Sequence, residues 1–104
     1  MSARPTEEDF RPHEGTKFSV QVEQHPPVEL LLTEVKSYNP ETSQQLNMER
    51  FSLYFQGPAD VMLQQGTYAF GHPEMGDLIL FVVPIGRDES GFQYEVVFNY
   101  FKNK

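Results

Sequence analysis

From Lys17 onward, apolar and polar residues alternate with a period of two, and that period organises most of the chain. KFSVQVE places Phe18, Val20 and Val22 on one face and Lys17, Ser19, Gln21 and Glu23 on the other. Successive side chains leave a strand on opposite faces, so the spacing predicts a half-buried strand. His25-Pro26-Pro27 is expected to break it. VELLLTEVKSY starts with Val28, Leu30 and Leu32 in phase and loses alternation at Thr33-Glu34, which marks a bulge or a bend. The polar, turn-rich stretch 39–47, NPETSQQLN, reads as a long flexible loop. ERFSLYFQG resumes the alternation, with Phe51, Leu53 and Phe55 against Ser52, Tyr54 and Gln56, and Gly57-Pro58 ends it.

ADVMLQQG then reads as a connector, and Gly66 introduces the short strand TYAFGH. HPEMG, 72–76, is punctuated as a turn by proline and glycine. DLILFVVPI is apolar at nearly every position, which predicts a central strand covered on both faces. On that reading Leu80→Asp and Phe81→Asp should both abolish folding. GRDESG, 86–91, reads as a charged hairpin loop. FQYEVVFNYF puts Phe92, Tyr94, Val96, Phe98 and Tyr100 on one face. The sum is six strands joined by short loops, which favours an all-β, mainly antiparallel barrel or two-layer sandwich.

Ahead of the strands, PTEEDFRP carries a helix start. Thr6 is a candidate N-cap, Glu7, Glu8 and Asp9 occupy the first turn, and Pro12 stops any extension. Phe10 is its single large apolar residue and should pin the turn to the domain. The organisation expected is an N-terminal segment 1–16, a β domain 17–101 and a tail 102–104. The segment FSLYFQGP, 51–58, resembles the site of a protease used to remove purification tags. Phe51 stands where that site carries Glu, and the alternation runs straight through, so the segment reads as native strand.

Composition narrows the function. The chain has 104 residues, no cysteine and a formal charge of −7 from 15 acidic and 8 basic side chains. Disulfides, thiolate catalysis and zinc-thiolate sites are excluded. No basic face appears that could neutralise phosphates; Lys102 and Lys104 sit at the tail, so nucleic acid and anionic membrane are not the expected partners. The run LILFVVPI is far shorter than the about 20 residues a spanning helix needs. The N-terminus has no apolar leader region, and the expectation is a cytoplasmic protein.

Reactive constellations are sparse. His13, His25 and His72 each stand beside a proline or a turn without metal-ligand spacing, and no metal or cofactor is expected. His72 with Glu74 is the single close imidazole–carboxylate pair; a turn histidine bonded to backbone accounts for it equally well, and a hydrolase would need a nucleophile or activated water about 3 Å from the ring. Ser90 lacks the strained elbow that exposes a nucleophile. Aromatics are the stronger signal: nine Phe and five Tyr are suited to strands and also to interface cores.

Three segments, FSLYFQGP, LQQGTYAFGHPEMGDLILFVVPIG and YEVVFN, together resemble an uncharacterised bacterial family of small all-β proteins catalogued as a domain of unknown function. The resemblance spans roughly residues 14–99 and rests on the order of ordinary strand and turn residues. It implies no activity and no catalytic residues; an association with phage-tail-like gene neighbourhoods implies a part in such an assembly.

The leading expectation is therefore a non-enzymatic protein–protein interaction or structural module, self-association included. Its candidate surface is Tyr54, Tyr68, His72, Tyr94 and Tyr100, together with an unpaired edge on the C-terminal strand. The alternative is a small-molecule-binding barrel with its ligand near Tyr68 and His72.

Overall fold

The computed structural model describes residues 5–101. Thr6 opens α1 (Glu7–Phe10) with a capping box: its hydroxyl accepts from the Asp9 amide while the Asp9 carboxylate accepts from the Thr6 amide. Pro12 ends the α-helix, but the chain turns on as a 3-10 turn over Arg11–His13, where proline at the start needs no amide partner. Six antiparallel strands follow: β1 (Lys17–Val22), β2 (His25–Ser37), β3 (Met48–Gln56), β4 (Gly66–His72), β5 (Gly76–Asp88) and β6 (Gly91–Phe101). They close in the order β1-β2-β3-β6-β5-β4, with Ser19↔Gly71 and Val20↔Phe70 joining β1 to β4.

The inward rows are the alternating apolar positions. Phe18 and Val20 of β1, Leu30 and Leu32 of β2, Phe51, Leu53 and Phe55 of β3, Phe70 of β4, Val82 of β5 and Tyr94 of β6 are all buried. Phe18, Phe55 and Phe70 meet ring to ring at centroid distances of 5.5 to 6.4 Å, so side chains fill the barrel's middle. Each end has a plug. Phe10 packs on Phe51 and Phe98, which stack on each other at 4.5 Å. Burying one such ring is worth about 1.5–3 kcal/mol. At the other end the connector from β3 to β4 crosses the opening and inserts Leu63, whose amide donates to the Tyr94 hydroxyl at 2.9 Å.

Four expectations need correcting. His25-Pro26-Pro27 does not break the strand: the turn falls on Glu23-Gln24, with Gln24 at φ 59°, and β2 starts at His25. Val22 pairs with His25 and Val20 with Val28, so Pro26 and Pro27 bulge opposite Gln21, where their missing amides cost no ladder bond. The stretch 39–47 is not a loop but contains α2 (Pro40–Leu46), with Pro40 at its start and Asn39 and Asn47 left-handed at its two ends. GRDESG is not a six-residue loop: β5 runs to Asp88, β6 starts at Gly91, and the Asp88 carboxylate accepts from the Ser90 and Gly91 amides. Finally, β5 is covered on one face. Leu80 and Val82 are buried, whereas Ile79, Phe81 and Ile85 are exposed at 70, 49 and 48 %.

The expected irregularity at Thr33-Glu34 is present, since Leu32 pairs with Phe55 and Glu34 with Tyr54, leaving Thr33 as the extra residue. Lys102 and Lys104, in the expected tail, lie outside the described residues, as do the first four positions of the N-terminal segment.

Candidate interaction surface

β5 changes partners along its length. From Gly76 to Val82 it pairs with β4, and from Val83 to Asp88 with β6. The last β5–β6 pair toward the α1 end is Val83↔Glu95. Beyond it, among the described residues, Leu78–Leu80 of β5 pair only with β4, and Val97–Asn99 of β6 pair only with β3. The strands flank a groove of about 870 Å³ lined by Leu78, Ile79, Leu80, Val97, Phe98 and Asn99. Its exposed apolar side chains are Ile79 at 70 % and Val97 at 57 %, and Phe81 and Phe101 are further exposed large side chains on the same two strands. Solvent-facing apolar rows on adjoining strands are a mark of contact surfaces.

The groove's lower wall comes from the N-terminal segment, the β4–β5 turn and the start of β5, and among the described residues it contributes Asp9, Glu74 and Asp77 but no Lys or Arg. The turn is held by His72. Its Nδ1 accepts from the Glu74 and Met75 amides at 3.1 and 3.3 Å. Its Nε2 stands 3.0 Å from the Thr16 hydroxyl, which already donates to the His13 carbonyl, so this network assigns the proton to Nε2. The ring packs on Phe18 and edge-on against His13. Burial, and then the neighbouring His13, pushes the His72 pKa below its ordinary value, against a smaller opposing pull from Glu74. Both ring nitrogens are therefore engaged in structure. The Glu74 carboxylate points away, 3.6 Å from His13 Nδ1.

A second polar cluster lies outside the barrel wall and was not foreseen. Glu95 stands opposite Tyr54 in the β3–β6 register. Its Oε2 accepts from the Ser52 hydroxyl at 2.7 Å, the Tyr38 hydroxyl at 3.1 Å and the Tyr54 hydroxyl at 3.2 Å. The hydrogen bond with Tyr38, then burial and the Glu95 charge, push the Tyr54 phenol well above its ordinary pKa. Ser52 is fully buried beneath Tyr38, so the cluster offers no open nucleophile. What it does is fasten the β2–α2 connection to β3: Ser43 of α2 donates to the Tyr38 carbonyl and accepts from Arg50.

The five sequence-picked residues do not converge. Tyr94 and His72 are buried and present no outer surface. Burial raises the Tyr94 pKa, and the bond from Leu63 opposes this in part. Tyr68 is half-buried, with its hydroxyl on the Gln64 carbonyl, four positions along β4 from His72, a rise of about 13 Å. They therefore share no single barrel mouth. Tyr54 belongs to the Glu95 cluster, and the half-buried Tyr100, whose hydroxyl donates to the Pro5 carbonyl at 2.6 Å, is the one that lines the groove. The C-terminal strand is no open sheet edge, because β3 covers one side throughout and β5 the other through Glu95. Its unpaired stretch is confined to the seam. Among the described residues no group of three or more His, Asp or Glu side chains could hold a metal, and no helix is long and apolar enough to cross a membrane.

The fold and this seam define a small all-β protein with plugged ends and an outward-facing groove. The chain belongs to the family described as Domain of unknown function (DUF6916), whose model matches residues 5–98. No curated protein and no solved structure matches it.

Proposed function

We propose that the chain is a non-enzymatic protein-binding module that works through the opened seam between β5 and β6. The observation that carries this reading is the loss of β5–β6 pairing beyond Val83↔Glu95, beside the exposed apolar side chains of Ile79 and Val97. An unpaired strand edge attracts another extended chain, and apolar flanks supply the burial that makes such an encounter persist. The aromatic packing of Phe18, Phe55 and Phe70 favours this over a ligand held inside the barrel.

The test is site-specific photo-cross-linking in cells that make the protein, with a photoreactive phenylalanine at position 79 or 97 and at the exposed control position Thr33. Adducts at 79 and 97, either with another protein or with a second copy, are expected above the control. Equal, negligible yields at all three positions would overturn the reading.

A further inference from the structure

Resting on that reading of the seam, we infer that its occupant is an extended segment of a different protein in which apolar residues alternate with lysine or arginine. The backbone sets the first half of this. Leu78–Leu80 and Val97–Asn99 present strand edges, and a ladder of amides and carbonyls is matched by another strand rather than by a helix. Three edge residues span about 10 Å, so the paired stretch of the occupant is about three residues, with further residues flanking it on each side. In an added strand alternate side chains face opposite ways. One row meets the groove floor of Leu78, Leu80 and Phe98, and the other reaches out past the lip.

Charge sets the second half. Asp9, Glu74 and Asp77 line the groove, and among the described residues its one lining side chain able to carry positive charge is His13. Arg11 holds Glu7, Lys17 faces Glu29 at 3.8 Å, Arg50 donates to Ser43, and Arg87 lies over Phe92 at the far end of β5; Lys36 lies on β2 and does not line the groove. A second copy meeting this groove through its own would bring the same acids against these, within a chain of net charge −7. Lysine or arginine on the outward row of an added strand complements the wall instead.

The experiment titrates the full chain with capped seven-residue peptides, read by amide NMR shifts and calorimetry. One alternates Val and Lys, one has the same composition in two blocks, and one alternates Val and Glu. The alternating Val–Lys peptide is expected to shift the amides of Leu78–Leu80 and Val97–Asn99. Its binding should weaken with added salt and fall roughly tenfold in a doubly substituted Glu74→Lys, Asp77→Lys protein that keeps its NMR dispersion. The other two peptides should leave those amides unmoved. No shift with Val–Lys, or equal binding of the block peptide, overturns the inference. If cross-links at 79 and 97 then join two copies of the chain, the seam still binds protein and only the occupant is wrong. If they join nothing, both readings fall together.

Discussion

Gly91 stands so close to Gly57 that a Cβ at position 91 would lie 2.0 Å from the Gly57 carbonyl oxygen. The contact is made where the start of β6 passes the end of β3, and the Gly57 amide donates to the Phe92 carbonyl at 2.8 Å. Gly91 also has φ +136°, which L side chains rarely adopt. Gly91→Ala therefore combines backbone strain with a clash against main chain that cannot rotate away. A loss of about 2–4 kcal/mol is expected in urea unfolding. A loss below about 0.5 kcal/mol would mean that the two segments are not in contact.

Leu80 and Phe81 are neighbours with opposite fates. Leu80 is 4 % exposed and faces the core, whereas Phe81 looks outward from the same strand. Leu80→Asp places an unpaired charge among apolar side chains and should abolish soluble folding. Phe81→Asp should leave a folded protein within about 1 kcal/mol of the parent, since exposed substitutions away from special features cost little. Circular dichroism and thermal melts of the two variants check both outcomes.

His72 makes stability depend on pH. Its folded pKa is lowered, so the unfolded chain takes up the proton first as pH falls. The stability linked to this group is fully present above the ordinary value of 6.5 and is lost progressively below it. Protonation of Nδ1 would also remove the acceptor for the Glu74 and Met75 amides, with His13 and Glu74 as the titratable groups at hand. Melting temperatures should be flat from pH 8 to 7 and fall between 6.5 and 5.5. His72→Asn, which keeps an acceptor near the Nδ1 position, should flatten that fall.

Glu95 collects three hydroxyls on one oxygen, and its removal leaves the buried Ser52 and its neighbours short of an acceptor. Glu95→Ala is expected to cost about 1–3 kcal/mol. It should also bring the Tyr54 phenol back toward its ordinary pKa, because both the charge and the hydrogen bond of Glu95, two of the causes of its shift, are gone. Ultraviolet titration of the tyrosines reads that change directly.

Strand alternation made most of the barrel legible. The inward rows of β1, β2, β3 and β6, the bulge at Thr33, the N-cap at Thr6 and the burial of Phe10 all follow from local pattern. α2 did not, because Pro40–Leu46 has a single large apolar residue, Leu46, and that one is exposed. Its signals were Pro40 at the start and Asn47 after the end, which read equally well as turn chemistry. β5 misled because its outward row is as apolar as its inward row. Burial on both faces and a one-sided face left open for a partner share that pattern. The seam itself depends on where β5 leaves β4 and joins β6, a register between distant segments that alternation does not encode. The Glu95 cluster was hidden for the same reason, since Tyr38, Ser52, Tyr54 and Glu95 come together through pairing of β2, β3 and β6.

The open seam is most directly tested by residue-resolved hydrogen exchange on the uncomplexed protein. Within Leu78–Leu80 and Val97–Asn99, the amides not bonded to β4 or β3 should exchange orders of magnitude faster than those of the doubly paired stretch Phe92–Glu95. Protection in both stretches as uniform as in Phe92–Glu95 would mean that β5 and β6 are zipped along their whole length, and the surface on which the proposed function rests would be gone.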